Sequence, residues 1–344
     1  MFVIPIANQH SYNSIPRNGD LRLTINNRCN VPSRTLLVDW KGDCFVCSCE
    51  AWLPVSAGNI SNIQSLNDFW STGVAAELQR DIDQKQFTHC AVDRCGILNH
   101  SIEEKIYTIS INIDASCNLI CPSCRRSSIM LESGPEYDLK LQQVNHLVDL
   151  LEEFNRPSRI VMSGNGDPLA SPIMRPLLHR FKPSANQQIR LFTNGLLLEK
   201  QLRDNPIVDN IDQYFISVDA GSASVYEQVR SPGRHNILLK NFDFLKELID
   251  ITGAEVLLMF VLQQANYHDM AAFAELCIRY GFNGVINRLE DWGTWDSFNA
   301  EDVIGNVNHP DHVKSLNELK RIYKMYAGRI QFNASLVQLA TETT

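Results

Sequence analysis

The chain has 344 residues, of which 44% are hydrophobic and 20% are charged, and its formal net charge at pH 7 is −8. This length suits one large domain with a smaller one, or two medium domains. The acidic charge argues against a nucleic acid held on a broad basic surface. The longest strongly apolar run, VLLMFVL at 256–262, is too short to span a bilayer, and the N-terminus lacks a signal-peptide pattern. We therefore expect a cytoplasmic protein with no membrane partner.

Residues 26–100 combine short strand-like pieces with six of the ten cysteines. We predict a strand over RTLLVDW (34–40), a turn at KGD (41–43) and a helix over 65–83. We therefore predict a small α+β domain over residues 1–100, held together by metal.

Residues 105–290 alternate between strand and helix patterns. The predicted strands are YTISINI (107–113), RIVMSG (159–164), IRLFTNG (189–195), YFISVDA (214–220), AEVLLMFVL (254–262) and GVINRL (284–289). The predicted helices cover 141–154, 172–181, 222–230, 236–250 and 268–280, and a further short helix is predicted after the strand at 189–195. Six such repeats indicate parallel βα units, too few for a complete eight-unit barrel. We predict an α/β fold with a partial (βα)6 TIM-like barrel over residues 101–295.

The remaining residues, 296–344, are predicted to form a C-terminal extension. A helical pattern covers 313–326, and IQFNASLVQL at 330–339 reads as a strand.

Polar and glycine-rich residues follow five successive predicted strands. They are Cys117, GNGDP (164–168), TNG (193–195), SVDAG (217–221) and QQAN (263–266). In parallel α/β folds, ligands bind at the carboxyl ends of the strands. Core packing alone does not predict such residues at five strand ends, so we expect the binding site there.

The stretch SCNLICPSC places Cys117, Cys121 and Cys124 in a C-x3-C-x2-C pattern, and nine of the ten cysteines lie within residues 29–124. Disulfides are rare in a reducing compartment, so clustered thiols indicate a metal ion or an iron–sulfur cluster. Structural zinc sites normally close with four ligands. Three thiolates around a [4Fe-4S] cluster leave one iron without a protein ligand, and that iron can bind a small molecule.

A C-x3-C-x2-C loop after the first strand of a partial βα barrel resembles the radical S-adenosylmethionine (radical SAM) enzymes. The resemblance covers residues 105–290. It implies that Cys117, Cys121 and Cys124 hold a [4Fe-4S] cluster whose open iron binds S-adenosylmethionine. It further implies reductive cleavage of S-adenosylmethionine to a 5′-deoxyadenosyl radical, which abstracts a hydrogen atom from the substrate.

Further motifs follow in the order that the family shows. GNGDP (164–168) resembles the family's GGEP motif, whose backbone holds the methionine amino group, although Asn165 and Asp167 replace glycine and glutamate. Arg230 in VYEQVR resembles an arginine that pairs with the methionine carboxylate. Many relatives have an aromatic residue just before the third cysteine, where this chain has Ser123. The resemblance implies these S-adenosylmethionine contacts: Gly164, Asn165, Gly166, Asp167, Asn194, Ser217, Asp219, Arg230, Leu262 and Gln264.

The upstream cysteines show a second resemblance. Cys29, Gly42 and Cys47 form a C-x12-G-x4-C pattern that is similar to the first half of a SPASM or twitch domain, which binds an auxiliary [4Fe-4S] cluster. Such domains usually follow the barrel, whereas here the pattern precedes it. The alternative is a zinc ribbon built from the same four cysteines. The implied ligands are Cys29, Cys47, Cys90 and Cys95, which leaves Cys44 and Cys49 without an assigned role.

These resemblances favour an enzyme that modifies a ribosomally synthesised peptide or protein by epimerisation, crosslinking or dehydrogenation. The alternative is a dehydrogenase or epimerase of a small molecule such as an aminocyclitol or sugar. A non-enzymatic iron–sulfur scaffold or sensor does not account for the full set of S-adenosylmethionine motifs. An electron donor such as flavodoxin or ferredoxin is expected as a partner. Cys277, on a predicted helix, is a candidate hydrogen-atom donor, with a buried core cysteine as the alternative.

Overall fold

The computed structural model describes residues 28–92, 95, 98, 105–291 and 293–342. Residues 1–27 of the predicted N-terminal domain lie outside this set. The chain divides into two compact units. The first unit comprises the residues up to Ser116 together with Met130–Leu191 and Asn205–Ile211, and the second comprises Cys117–Ile129, Phe192–Asp204 and the residues from Asp212 onward.

The first unit contains a sheet that is parallel except at one edge. Its strands are β1 (Thr35–Val38), β2 (Cys44–Phe45), β3 (Tyr107–Ile111), β4 (Ser158–Met162) and β5 (Gln187–Thr193), in the order β2-β1-β3-β4-β5. Its helices are α1 (Leu66–Phe69), α2 (Gly73–Asp83), α3 (Pro135–Glu153) and α4 (Arg175–His179). β2 pairs antiparallel with β1, and β1 pairs parallel with β3. The cysteine-rich segment therefore extends the sheet that β3 begins, which the sequence pattern did not indicate.

Helix α3 shows why these residues form a helix. Pro135 occupies its first turn, and Glu136 and Asp138 follow in the same turn, where acidic side chains interact favourably with the helix dipole. Val144 and Leu147 belong to its fully buried face, at the helical spacing that the sequence predicts.

Among the described residues of the second unit, all strand pairs are parallel. The strands are β6 (Ile211–Ser217), β7 (Glu255–Leu262), β8 (Asn283–Arg288) and β9 (Ile330–Phe332), in the order β6-β7-β8-β9. The helices are α5 (Leu198–Leu202), α6 (Ala223–Val229), α7 (His235–Thr252), α8 (Met270–Tyr280), α9 (Phe298–Glu301), α10 (His312–Tyr326) and α11 (Ala334–Thr341). The six strands predicted between residues 107 and 289 are β3 to β8, which confirms the mostly parallel α/β fold.

Two predicted elements differ from the structure. The predicted helix over 65–83 is divided into α1 and α2 by a turn at residues 70–72, and Gly73, the first residue of α2, has a φ of 57°. The predicted strand over 330–339 is wrong after Phe332, because α11 begins at Ala334. Asn333 starts that helix, since its side chain accepts a hydrogen bond from the backbone N–H of Ser335 at 3.0 Å. Among the described residues, no helix has the length and apolar character needed to cross a bilayer.

Candidate functional site

Three cysteines lie in the loop 117–129 of the second unit. The backbone N–H of Cys117 donates to the carbonyl of Ile129 at 3.0 Å, which closes the base of the loop. The carbonyl of Cys121 accepts from the backbone N–H groups of both Cys124 and Arg125. The loop therefore forms a short turn that carries Cys121 and Cys124 together, with Cys117 at its base.

Each thiol of this loop lies beside an N–H group of the protein. The nearest donors are the Leu119 backbone and Asn194 Nδ2 for Cys117, at 3.4 and 3.8 Å, Arg230 Nη1 for Cys121 at 3.8 Å, and Arg125 Nη2 for Cys124 at 3.7 Å. Sulfur binds metal as the thiolate, and cations and N–H donors stabilise that form. Burial raises the pKa of the Cys121 thiol, and the Arg230 guanidinium opposes that effect. The donor set fits a cluster held by three thiolates.

The GNGDP loop of the first unit packs against the chain that continues from β3. The backbone N–H of Asp167 donates to the carbonyl of Ser116 at 2.9 Å, and Gly164 has a φ of 144°. A Cβ on Gly166 would lie 2.2 Å from that same Ser116 carbonyl oxygen. Glycine is required here because two backbones approach closely. Asp167 is buried, and its carboxylate accepts the Leu169 N–H at 2.9 Å, so this side chain stabilises its own loop.

Asn194, which follows β5, is bonded to the cysteine loop of the second unit. Its Nδ2 donates to Asn118 Oδ1 at 2.8 Å, and its Oδ1 accepts from the Leu196 N–H at 3.1 Å. Asn194 is also one of the predicted S-adenosylmethionine contacts, and in the structure its amide orients the loop around Cys117. Asn118 was missed, and its position between two predicted ligands was the available signal.

The ends of β6 and β7 are joined by Asn266, the last residue of the QQAN stretch that the sequence analysis expected at the binding site. Its Nδ2 donates to the carbonyls of Asp219 and Val261, each at 2.9 Å, and its Oδ1 accepts from the Gln263 N–H at 2.8 Å. The backbone N–H of Gln264 donates to the carbonyl of Glu301 at 3.0 Å, while its side chain is exposed.

Two of the other predicted S-adenosylmethionine contacts are the final residues of strands. Ser217 is the last residue of β6 and is half-buried, and Leu262 is the last residue of β7 and is buried.

Four cysteines of the first unit line one cavity: Cys29, Cys47, Cys90 and Cys95. The rest of the cavity wall is mostly apolar and includes Trp52. Burial and, to a smaller extent, the nearby thiols of Cys29 and Cys95 raise the pKa of both Cys47 and Cys90 to about 12. In the described part of the chain, no three Cys, His, Asp or Glu side chains meet as the ligands of a single metal ion would. The four predicted auxiliary-cluster ligands therefore line one shared cavity and do not converge on a single point.

Cys44 and Cys49 are buried outside the lining of that cavity. Cys44 lies on β2, and its Sγ faces the carbonyl oxygen of Gly42 at 3.9 Å. Burial, with Asp43 and Asp39 nearby, raises the pKa of Cys44 to about 12. The structure places Cys44 in the packing of the hairpin.

Cys277 is buried on α8. A Cβ on Gly284 would lie 2.7 Å from its sulfur, and Gly284 is the second residue of β8, at the strand's amino end. Burial raises the pKa of this thiol to about 12. Ligands of parallel α/β folds bind at the opposite, carboxyl ends, so this position supports the packing alternative over the hydrogen-donor one.

Comparisons with known proteins identify the family. Residues 111–277 match the family model of the radical SAM superfamily, and residues 29–96 match SPASM, an iron–sulfur cluster-binding domain. The chain carries a radical SAM domain with an SPASM domain ahead of it, as the motifs indicated. The two domains imply a [4Fe-4S] cluster, an auxiliary cluster and S-adenosylmethionine, which confirms the predicted cofactors.

Curated relatives match over part of the chain. An AdoMet-dependent heme synthase of Methanosarcina barkeri (strain Fusaro) is 26% identical over 140 residues, which are 40% of this chain and 39% of the relative. A probable GTP 3′,8-cyclase of Methanococcus maripaludis (strain C7) is 23% identical over 180 residues, 52% of this chain and 57% of the relative. The chain thus spans 39% and 57% of these relatives' lengths.

Solved structures are similar at lower identity. Streptococcus suis SuiB bound to its precursor peptide SuiA has a TM-score of 0.41 and 14% identity, covering 80% of this chain and 68% of SuiB. Native anSMEcpe with bound AdoMet has a TM-score of 0.42 and 16% identity, covering 66% of this chain and 63% of that protein.

Proposed function

We propose that this radical SAM enzyme abstracts a hydrogen atom from a ribosomally synthesised peptide or protein, leading to epimerisation, crosslinking or dehydrogenation. The observation that supports the radical chemistry most directly is the loop 117–129, in which three thiols each face an N–H donor. An SPASM domain supports the peptide class, because many enzymes with this domain act on such substrates.

In this proposal Cys117, Cys121 and Cys124 hold the [4Fe-4S] cluster, and the four cavity thiols of the first unit hold the auxiliary cluster. When bound together, the first cluster and S-adenosylmethionine supply a 5′-deoxyadenosyl radical for hydrogen abstraction. The protein's own part is to hold the thiolates, keep water from the radical and fix the substrate. Electrons come from a donor such as flavodoxin or ferredoxin.

The S-adenosylmethionine contacts are proposed mainly on the backbone. The side chains of Asp167 and Asn194 are engaged in protein hydrogen bonds, so they act by shaping their loops. The peptide groups of Gly164 to Gly166, the side chains of Ser217, Arg230 and Gln264 and the apolar surface of Leu262 remain as the proposed direct contacts, and Asp219 acts through its ion pair with Arg230. Asn165 is half-buried within the same loop.

A small-molecule substrate is the second candidate, and the sequence relatives favour it. The heme synthase and the GTP cyclase are both named for small molecules. For this chain, the alternative is dehydrogenation or epimerisation of a compound such as an aminocyclitol or sugar.

The first experiment tests the radical chemistry. Anaerobically reconstituted, chemically reduced protein should convert S-adenosylmethionine into 5′-deoxyadenosine and methionine, measured by liquid chromatography. Cys117→Ala should abolish this conversion because it removes a cluster ligand. Cys277→Ala is the matched control, since it removes a buried thiol outside the loop, and it should retain the conversion. Normal cleavage by the Cys117→Ala protein would contradict the assignment of the loop.

The second experiment separates the two substrate classes. The reduced enzyme is incubated with S-adenosylmethionine and one of two sets of deuterated compounds. The first set is any short peptide encoded beside the gene, and the second is sugars and aminocyclitols. Mass spectrometry then follows deuterium into 5′-deoxyadenosine. Label from the peptides supports the main proposal, and label from the sugars or aminocyclitols alone supports the second candidate.

A further inference from the structure

Asp219 lies at the carboxyl end of β6 and is enclosed by the second unit. Its side chain is 2% exposed, and its backbone φ is 58°, in the left-handed region. Its Oδ1 accepts the Val261 N–H at 2.7 Å, and its Oδ2 lies 2.6 Å from Arg230 Nη2. Asparagine and aspartate adopt this backbone more readily than other non-glycine residues. Both carboxylate oxygens of Asp219 therefore have partners within the protein.

Arg230 follows the last residue of α6, and its guanidinium contacts both Asp219 and Cys121. One terminal nitrogen, Nη2, pairs with Asp219, and the other, Nη1, lies 3.8 Å from the sulfur of Cys121. Burial disfavours the charge of the guanidinium, but the Asp219 carboxylate outweighs burial and raises the pKa of Arg230. A permanently charged group thus lies against one of the three loop thiols.

A second contact fixes the same two segments to each other. The backbone N–H of Ile120 donates to the carbonyl of Ser231 at 2.7 Å. These residues are the chain neighbours of Cys121 and Arg230. The distance between the guanidinium and the sulfur is therefore set by the backbone on one side and by Asp219 on the other. A planar guanidinium held at two points keeps its orientation better than a flexible ammonium would.

We propose that Asp219 is a positioning residue, which holds the Arg230 guanidinium against Cys121, and that this pair sets the reduction potential of the cluster bound by the loop. A cation and N–H donors at a ligating sulfur stabilise the more negative, reduced cluster, so they raise its potential. The proposal rests on the assignment of Cys121 as a cluster ligand in the proposed function.

The test measures the midpoint potential of the cluster whose electron paramagnetic resonance signal changes when S-adenosylmethionine is added. The titration itself is run without S-adenosylmethionine and without substrate. The variants are Asp219→Asn, Arg230→Gln and the double variant. The control is Glu227→Gln, which removes a carboxylate from an exposed ion pair with Arg234 on the neighbouring surface. Iron content is determined for each protein.

Asp219 can act through Arg230 or through its own charge, and the two roles predict opposite shifts. If it positions Arg230, Asp219→Asn shifts the potential to more negative values, as Arg230→Gln does. The double variant then equals Arg230→Gln alone, because the two residues act as one unit. If only the charge of Asp219 matters, its removal shifts the potential to more positive values. That result, or an unchanged potential, overturns the proposal. Glu227→Gln should match the unaltered protein.

The role of the Asp219–Arg230 pair can still be tested if Asp219→Asn fails to fold or to bind iron normally. If Asp219→Asn binds less iron, Arg230→Lys replaces it, since lysine keeps the charge and loses the two-point geometry. It should shift the potential in the same direction as Arg230→Gln but less. No shift in either arginine variant overturns the proposal, as does a loss of S-adenosylmethionine affinity with an unchanged potential. The proposed peptide activity can fail without affecting these results, because no substrate is present.

Discussion

Gly166→Ala tests the close packing of the GNGDP loop. A Cβ at this position would lie 2.2 Å from the Ser116 carbonyl oxygen and 2.6 Å from the Ala115 carbonyl carbon. Both neighbours are backbone atoms, so no side-chain rotation can relieve the overlap. The loop has to move by about 1 Å to reach an ordinary van der Waals contact, which is about 3.5 Å or more between non-bonded atoms.

The expected cost follows from this overlap. Forcing an extra methyl group into a packed region costs about 1–3 kcal/mol. Because the neighbours here are rigid backbone, we expect the upper end, about 3 kcal/mol of the free energy of unfolding. For a unit of this size, each kcal/mol lowers the thermal midpoint by about 2–4 °C. The midpoint of the first unit should therefore fall by roughly 6–12 °C.

Gly328→Ala is the matched control for the same chemical change. A Cβ at Gly328 would meet no atom within 4 Å. Alanine in such a place stabilises by about 0.4–1 kcal/mol, because it restricts the unfolded chain. Thermal unfolding of both variants is followed by circular dichroism under anaerobic conditions with matched iron content. Equal midpoints for the two variants would refute the argument that the GNGDP backbone is pressed against the end of the β3 segment.

Two further predictions concern other parts of the chain. Cys90→Ala should lower the iron content by about four atoms per chain, since it removes a ligand of a [4Fe-4S] cluster. Cys44→Ala is the control and should keep all the iron, because Cys44 lies outside the cavity lining. Equal iron content in the two variants would contradict the auxiliary site. His235 lies against Tyr226 at 5.6 Å between ring centres, and burial lowers its pKa below the ordinary 6.5. Its neutral form is favoured in the folded state, so it contributes stability above pH 6.5 that is lost as the pH falls below that value. Thermal midpoints from pH 7.5 to 5.5 should fall less steeply for His235→Asn, and identical slopes would argue against this role.

The strands β3 to β8 were predictable because their signal is local. Each is a run of apolar or alternating residues of ordinary strand length, bounded by glycine or polar residues. The parallel pairing of β1 with β3 was not predictable in this way. Thr35 pairs with Thr108 across more than seventy residues of chain, and four residues of strand carry no pattern that names a partner. The error at residues 330–339 has a local cause, because the capping side chain of Asn333 overrides the apolar alternation that follows it.

In the candidate site, too, the locally encoded features were predictable and the long-range contacts were not. The spacing of Cys117, Cys121 and Cys124 is a local feature that the sequence displays directly. The four cavity cysteines were also predicted, since their pattern follows a known domain. What the sequence could not show was the direction in which each strand-end side chain points. Asp219 lies at a strand end, has a left-handed backbone, and its carboxylate contacts Arg230 and the Val261 N–H.

This orientation changes how the polar strand ends of the second unit are understood. Asn194 bonds the cysteine loop, Asn266 joins β6 to β7, and Asp219 holds Arg230. Each is a buried polar group whose hydrogen bonds are satisfied by protein, and breaking any of them would leave a partner unsatisfied at a cost of about 1–3 kcal/mol. Asn194 contacts the thiol loop directly and Asp219 reaches it through Arg230, while Asn266 holds the ends of β6 and β7 together. Asn194 and Asp219 thus act on the residues around Cys117 and Cys121 through hydrogen bonds and an ion pair that the protein itself completes.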